Sequence, residues 1–210
     1  MKTNTCLKSG SKKNILFLPG ASGDANFWRG VGCDLPFFWN KRFLSWPGIG
    51  HQDPDPNVNS MADLYRLAES ALCEPSAVVA QSMGGIIAMQ LALNHPELVT
   101  HLILTATSGG LDIARHGGTD WRPAYLHTHP HTARWITTEN MDLTAELHRI
   151  STPTLLLWGG RDTISPPAVG AFLAERINDS TLQVIPEGEH AMGFLMPEKL
   201  APLINDFLAD

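Results

Sequence analysis

Between Ser76 and Leu91 the chain reads Ser-Ala-Val-Val-Ala-Gln-Ser-Met-Gly-Gly-Ile-Ile-Ala-Met-Gln-Leu, and this stretch constrains the fold more than any other. Ala77 to Ala80 form a short apolar, β-branched run. Ile86, Ile87, Met89, Gln90, Leu91 and Leu93 then follow in an apolar pattern at helical spacing. The pattern predicts a buried strand that turns at once into a helix, with Ser82 at the corner. Such a turn leaves room only for small residues two positions either side of the serine, and these are Ala80 and Gly84. It sets the helix N-terminus, with its free N–H groups and positive dipole end, beneath the hydroxyl. That geometry suits a nucleophile whose attack creates an oxyanion. A serine that only caps the helix fits the same local pattern, so the rest of the chain must decide.

Further strands and helices alternate along the sequence. Asn14 to Gly20 is an apolar strand stopped by Pro19 and Gly20, and Asp24 to Gly30 reads as a short helix carrying Phe27 and Trp28. Arg42 to Gly48 reads as a strand, and Asn57 or Asn59 as the cap of a helix with Met61, Leu64, Leu67, Ala68, Ala71 and Leu72 on one face. Val99–Thr105, Pro153–Trp158 and Thr181–Ile185 are strands; Pro167–Ile177 and Glu198–Leu208 are helices. Several strands are apolar throughout rather than alternating. They therefore predict an α/β fold with a mostly parallel, doubly wound sheet covered on both faces. Thr107 to Leu147 breaks the rhythm. Its Trp121, Tyr125, Leu126, Trp135 and Ile136 need somewhere to pack, so it reads as an insertion over one edge of the sheet.

Composition narrows the function. The 210 residues suit one domain with a substantial core. A net charge of −6 without a dense basic run leaves no electrostatic footprint for nucleic acid. No apolar stretch approaches a membrane span. The basic segment from Met1 to Lys13 is followed by too short an apolar run for a signal peptide. Cys6, Cys33 and Cys73 are odd in number and widely spaced, which implies no disulfide framework and makes a reducing cytoplasm the default location.

In a doubly wound sheet, functional groups gather in loops after the carboxyl ends of strands. Pro19-Gly-Ala-Ser-Gly23 follows the first strand, Ser82 the serine strand, Gly159-Gly-Arg-Asp162 the next-to-last strand, and Pro186-Glu-Gly-Glu-His190 the last. A serine, an acid and a histidine thus sit at three strand ends in that order, which matches the needs of acyl transfer.

On these residues the chain resembles the α/β-hydrolase superfamily over nearly its whole length. Ala80-Gln-Ser-Met-Gly84 resembles the nucleophile elbow, Gly159-Gly-Arg-Asp162 the acid loop, and Gly188-Glu-His190 the histidine loop. Leu18-Pro-Gly-Ala-Ser22 is similar to the oxyanion loop, with Pro19 where histidine is usual. The resemblance implies that Ser82 is the nucleophile, His190 the general base and Asp162 its orienter, with the N–H groups of Ala21 and Met83 as oxyanion donors. It implies a cofactor-free serine hydrolase of a small-molecule ester or thioester. A ligand-binding receptor on this fold, and a lyase or acyltransferase of the superfamily, are the alternatives. The region before Asn14 is too short for the hairpin that usually opens the fold, so a trimmed sheet of six or seven strands is expected. The insertion at 107–147 becomes a short lid within a single domain, 1–210.

Ser22, Trp28, Met192 and Phe194 are candidate pocket residues, the last two because they come just after His190. Trp28, Trp121 and Trp135 are weighed as walls of an acyl pocket against core packing, the default for tryptophan. His127, His129 and His131 invite a metal reading, but Pro130 and the lack of nearby Cys or Asp speak against a tetrahedral site, and no metal is expected. Arg115, Arg122 and Arg134 read first as solvated surface offset by Asp112, Asp120 and Glu139, with recognition of an anionic acid group or an acyl carrier as the alternative. His51 reads as loop scaffolding.

Overall fold

The computed structural model describes residues 12–209; Cys6 and most of the basic N-terminal segment lie outside them. Six strands form one parallel sheet: β1 (Asn14–Leu18), β2 (Asn40–Phe43), β3 (Ser76–Gln81), β4 (Val99–Thr105), β5 (Thr154–Gly159) and β6 (Ser180–Ile185). Their order is β2-β1-β3-β4-β5-β6, and every neighbouring pair is parallel. The chain runs outward from β1 to β2, then returns to lay β3 on the other side of β1. This reversal is the switch point where open α/β sheets hold their ligands, and the loops after β1 and β3 meet there.

Alternation along the strands divides the core cleanly. Leu16, Leu18, Val78, Ala80, Leu102, Leu104, Leu156 and Trp158 face helices α2 (Met61–Ala71), α3 (Met83–Asn94) and α5 (Pro167–Ala174). Their strand neighbours Ile15, Phe17, Ala77, Val79, Ile103, Leu155 and Leu157 face α1 (Arg29–Asp34), α6 (Met192–Leu195) and α7 (Pro197–Ala209). Both faces of β3 and β5 are covered, which is why these strands are apolar without a break. Each buried Leu or Ile contributes about 1.5–3 kcal/mol relative to exposure. Helix α3 is buried nearly all round, whereas α2 is amphipathic and shows its polar side to solvent.

Two boundaries differ from the sequence reading. The second strand covers Asn40–Phe43 rather than Arg42 to Gly48. It is a short edge strand with half its residues exposed, and the chain leaves the sheet at Ser45 so that Trp46 can be fully buried. The cap of α2 is Ser60, not Asn57 or Asn59. Its Oγ accepts the N–H of Asp63 while the Asp63 carboxylate accepts the hydroxyl proton of Ser60 and the N–H of Asn59. Those bonds, led by the one from Ser60, hold the Asp63 carboxyl below the usual carboxylate range.

Between β4 and β5 the chain carries short 3-10 turns and one helix, α4 (Arg122–Thr128), with no long element of its own. No helix among the described residues is long and apolar enough to cross a membrane.

Candidate active site

Ser82 sits in the one-residue step from β3 to α3 with φ 52° and ψ −120°, a strained conformation that turns its side chain out of the sheet. Its N–H is held by the carbonyl of Thr105 on β4 (2.9 Å). The corner closes only because Gly84 lacks a side chain: a Cβ there would lie 2.3 Å from the Pro19 carbonyl oxygen and 3.0 Å from that of Leu18. Both obstacles are backbone and cannot rotate away. Gly84→Ala is therefore expected to lose about 1–3 kcal/mol of stability, read as a lower urea midpoint, with activity falling as the β1 loop is pushed from the serine.

The strand ends bring Ser82, His190 and Asp162 together. His190 Nε2 lies 3.2 Å from Ser82 Oγ, and its Nδ1 lies 2.9 Å from Asp162 Oδ2 and 3.1 Å from Oδ1. The Asp162 side chain is fully buried, and its Oδ1 also accepts the N–H groups of Ile164 and Ser165, both at 2.9 Å. An ionised carboxylate has no proton to give, so the Nδ1 proton belongs to the imidazole and the lone pair at Nε2 faces the serine hydroxyl. Gln81, one residue before Ser82, donates from its amide to the His190 carbonyl oxygen (3.3 Å) and so ties the histidine loop to the elbow. The sequence reading assigned Gln81 no role.

Ala21 and Met83 flank the same corner. The N–H groups of both donate to no protein acceptor among the described residues, as expected of Met83 at the start of a helix. The loop after β1 reaches the elbow because Gly20 has no side chain: a Cβ there would lie 1.9 Å from the Gln81 amide oxygen and 3.1 Å from Ser82 Cβ. The indole of Trp46 donates to the Pro19 carbonyl (2.7 Å), and that of Trp28 to the Leu18 carbonyl (2.9 Å).

Two cavities, of about 380 and 430 Å³, meet at Ser82 and share Ala21, Trp121, Ile164 and His190 as walls. The first runs along Met83 and Ile86 to Ile136, with the carboxylates of Asp112, Glu139 and Asp142 in its wall. The second is lined by Ser22, Phe27, Tyr125 and Ala191. Of the expected pocket residues, Ser22 lies in a cavity wall. Trp28 and Met192 do not: both are fully buried in the core beneath the sheet. Phe194 is 57% exposed and packs on Phe27 outside the second cavity. A position just after His190 in sequence was a poor guide, because α6 turns Met192 inward and Phe194 outward.

Trp121 and Tyr125 line the site; the sequence reading weighed Trp121 as an acyl-pocket wall against core packing and gave Tyr125 only a packing role. The contact of Tyr125 with the Ala21 carbonyl spans 104 residues of chain, and no local pattern announces it. The arginines between β4 and β5 are exposed or engaged. Arg115 pairs with Asp112 (3.5 Å), and Arg122 pairs with Asp120 (3.0 Å) while donating to the Thr137 carbonyl (3.0 Å). His129 stacks on Tyr125 and also approaches His51, with ring centroids 4.5 and 4.6 Å apart.

Comparison with known proteins agrees with this architecture. The family model described as the alpha/beta hydrolase fold matches residues 13–134, more than half the chain. The chain belongs to that family and is an α/β hydrolase. A second family model, serine aminopeptidase S33, matches residues 124–194. A pimeloyl-acyl-carrier protein methyl ester esterase of Neisseria meningitidis serogroup A is 26% identical over 243 aligned positions, covering 93% of this chain and 77% of its own. That alignment is longer than the chain, so the relative carries segments that are missing here. Among solved structures, a hydrolase from Pseudomonas aeruginosa superposes with a TM-score of 0.74 at 19% identity, covering 96% of this chain and 92% of its own. A thermophilic esterase from Thermogutta terrifontis gives 0.74 at 22%, covering 95% and 90%.

Proposed function

We propose that this hydrolase cleaves small carboxylic esters or thioesters through an acyl-enzyme on Ser82. The observation that carries the reading is the hydrogen-bonded chain Ser82 Oγ, His190, Asp162 at the point where the two cavities meet. Ser82 Oγ attacks the carbonyl carbon while His190 Nε2 takes its proton. The developing oxyanion is received by the N–H groups of Ala21 and Met83. The imidazolium returns the proton to the leaving alcohol or thiol. Water then gives a proton to His190 and attacks the acyl carbon; as the adduct collapses, His190 returns that proton to Ser82 Oγ and the acid is released. Asp162 holds the imidazole in the tautomer that these transfers need. Residues 107–147 act as a short lid within a single domain, since Trp121 and Tyr125 from this segment help to wall the reaction centre. The ester-cleaving relative supports the same bond type.

The walls favour an uncharged substrate. Asp112, Glu139 and Asp142 line the first cavity with one arginine, Arg122. Arg122 is paired with Asp120 and Asp112 with Arg115, which leaves Glu139 and Asp142 to set the sign of the wall. Like charges brought together cost affinity. In a panel of p-nitrophenyl esters, neutral acetate and butyrate are expected to exceed the anionic hemisuccinate by about tenfold or more in kcat/KM, a gap of about 1.4 kcal/mol. Equal or faster turnover of the anionic ester would refute this preference. A receptor-like protein on this fold would show no steady turnover of any ester in the panel.

A further inference from the structure

We propose that Tyr125 is a positioning residue for the oxyanion donor at Ala21. The proposal rests on the acyl-transfer reading of Ser82 and assigns a residue 104 positions distant from Ala21 to the same step.

The Tyr125 hydroxyl stands in a complete hydrogen-bond environment. It donates to the Ala21 carbonyl oxygen at 2.8 Å. Its oxygen accepts the Gly50 N–H at 3.0 Å and, its own proton being committed to Ala21, the hydroxyl proton of Thr132 at 2.9 Å. One donor and two lone pairs are all a phenol offers, and all are used. The ring is held as well, in edge contact with Trp121 (centroids 5.2 Å apart) and stacked on His129. The hydroxyl is thus aimed at one atom of the β1 loop by groups from two separate segments, the loop holding Gly50 and the stretch from Trp121 to Thr132.

That atom matters because of where Ala21 sits. Residues 20–23 form a turn closed by the Gly23 N–H on the Gly20 carbonyl (3.1 Å). The bond holds one end of the peptide that carries the Ala21 N–H, whose tilt still follows the torsions at Ala21. The following peptide, between Ala21 and Ser22, is the central one of the turn. A central peptide can flip between turn types without breaking the closing bond. The bond from Tyr125 to the Ala21 carbonyl sets its orientation, and with it the torsions at Ala21, which lines both cavities beside Ser82. Around it the loop is otherwise packed by backbone: Cβ atoms at Gly23 and Gly50 would lie 2.4 Å from the Ile49 oxygen and 2.1 Å from the Ser22 oxygen. Tyr125 supplies the side-chain hydroxyl that pins the central peptide of this turn.

Donors aimed at the oxyanion act mainly in the transition state, so a lost alignment lowers kcat and leaves ground-state binding nearly intact. The test is Tyr125→Phe, which removes only the oxygen and keeps the stacked ring. Three quantities are read with a neutral p-nitrophenyl ester: kcat, KM, and the inhibition constant of an alkyl boronic acid, which forms an anionic tetrahedral adduct with a nucleophilic serine. Tyr125→Phe is expected to lower kcat by about tenfold to a hundredfold, keep KM within about twofold, and weaken the boronate by the same factor as kcat/KM. Thr132→Val, which removes the proton given to the Tyr125 oxygen, is expected to show the same split at smaller size and keeps the test available should the phenylalanine variant not fold. Unchanged kcat in both variants overturns the proposal. So does a fall in kcat with no loss of boronate affinity. A fluorophosphonate that labels Ser82 in the wild type while Tyr125→Phe behaves normally defeats this proposal alone; failure of labelling in the wild type defeats the reading beneath it.

Discussion

Replacing Ser82 with alanine is expected to lower kcat/KM for a neutral p-nitrophenyl ester by on the order of a thousandfold to a millionfold while the protein stays folded. The oxygen removed is the one that would form the covalent bond, and among the described residues that line both cavities Ser82 alone carries a hydroxyl. His190 could still polarise a water molecule, and Ala21 and Met83 would still receive an oxyanion, which is why some activity above the uncatalysed rate is expected to survive. The methyl group of alanine fits wherever the serine Cβ does, so the melting temperature should change little. Positive φ at residue 82 costs both residues alike. Steady-state rates and a thermal melt on the same preparation separate the two effects. Activity within tenfold of wild type would remove Ser82 from the reaction.

Asp162→Asn is expected to be nearly as damaging, and the reason lies in the hydrogen bonds around the carboxylate. Oδ1 of Asp162 accepts two backbone N–H groups, from Ile164 and Ser165. An asparagine must keep its carbonyl oxygen at that position or leave two donors unpaired in a buried place. Its NH2 group is then turned toward His190 Nδ1, where Oδ2 now lies at 2.9 Å. Two donors cannot bond to each other. The imidazole must present a lone pair at Nδ1, which puts its proton on Nε2, opposite Ser82, and a protonated Nε2 cannot act as the base. The expected loss in kcat is about ten-thousandfold, as in the serine protease case where the same tautomer argument applies. Raising the pH should recover little, because the proton is misplaced rather than in excess. A kcat within tenfold of wild type would show that the imidazole does not depend on this carboxylate.

Much of this architecture was legible from residues alone, and the legible parts share a physical cause. β3 and β5 are buried on both faces, so their apolar runs cannot be confused with solvent-facing structure. The elbow is legible because steric crowding dictates its small residues. The loops after four strands could be placed together because parallel strands send all their carboxyl ends to one side. Where burial is partial, the reading blurred. The edge strand β2 carries Lys41 and Arg42 half in solvent, and its true limits were missed. The residues flanking His190 were misjudged because chain proximity does not say which way a side chain points on the short helix that follows.

The segment from Thr107 to Leu147 was the least legible, for a different reason. It contains a seven-residue helix and several 3-10 turns, so no sustained period marks an inward face. Its order comes from long-range bonds such as Tyr125 to Ala21 and the Ala133 N–H to the Gly48 carbonyl (2.8 Å). Those contacts exist only once the sheet has brought the loops together. The same segment provides acidic residues in one cavity wall and Trp121 in both, so much of the wall around Ser82 comes from where sequence patterns say least.

The account turns on a covalent bond at Ser82, and that bond can be observed directly. Treating the wild-type protein with a fluorophosphonate, then mapping tryptic peptides by mass spectrometry, should show one phosphonyl group per chain on the peptide containing Ser82. Ester turnover should be lost in proportion to labelling, and the Ser82→Ala variant should take up no label. A phosphonyl group on another residue, or full turnover in protein completely labelled at Ser82, would contradict the account.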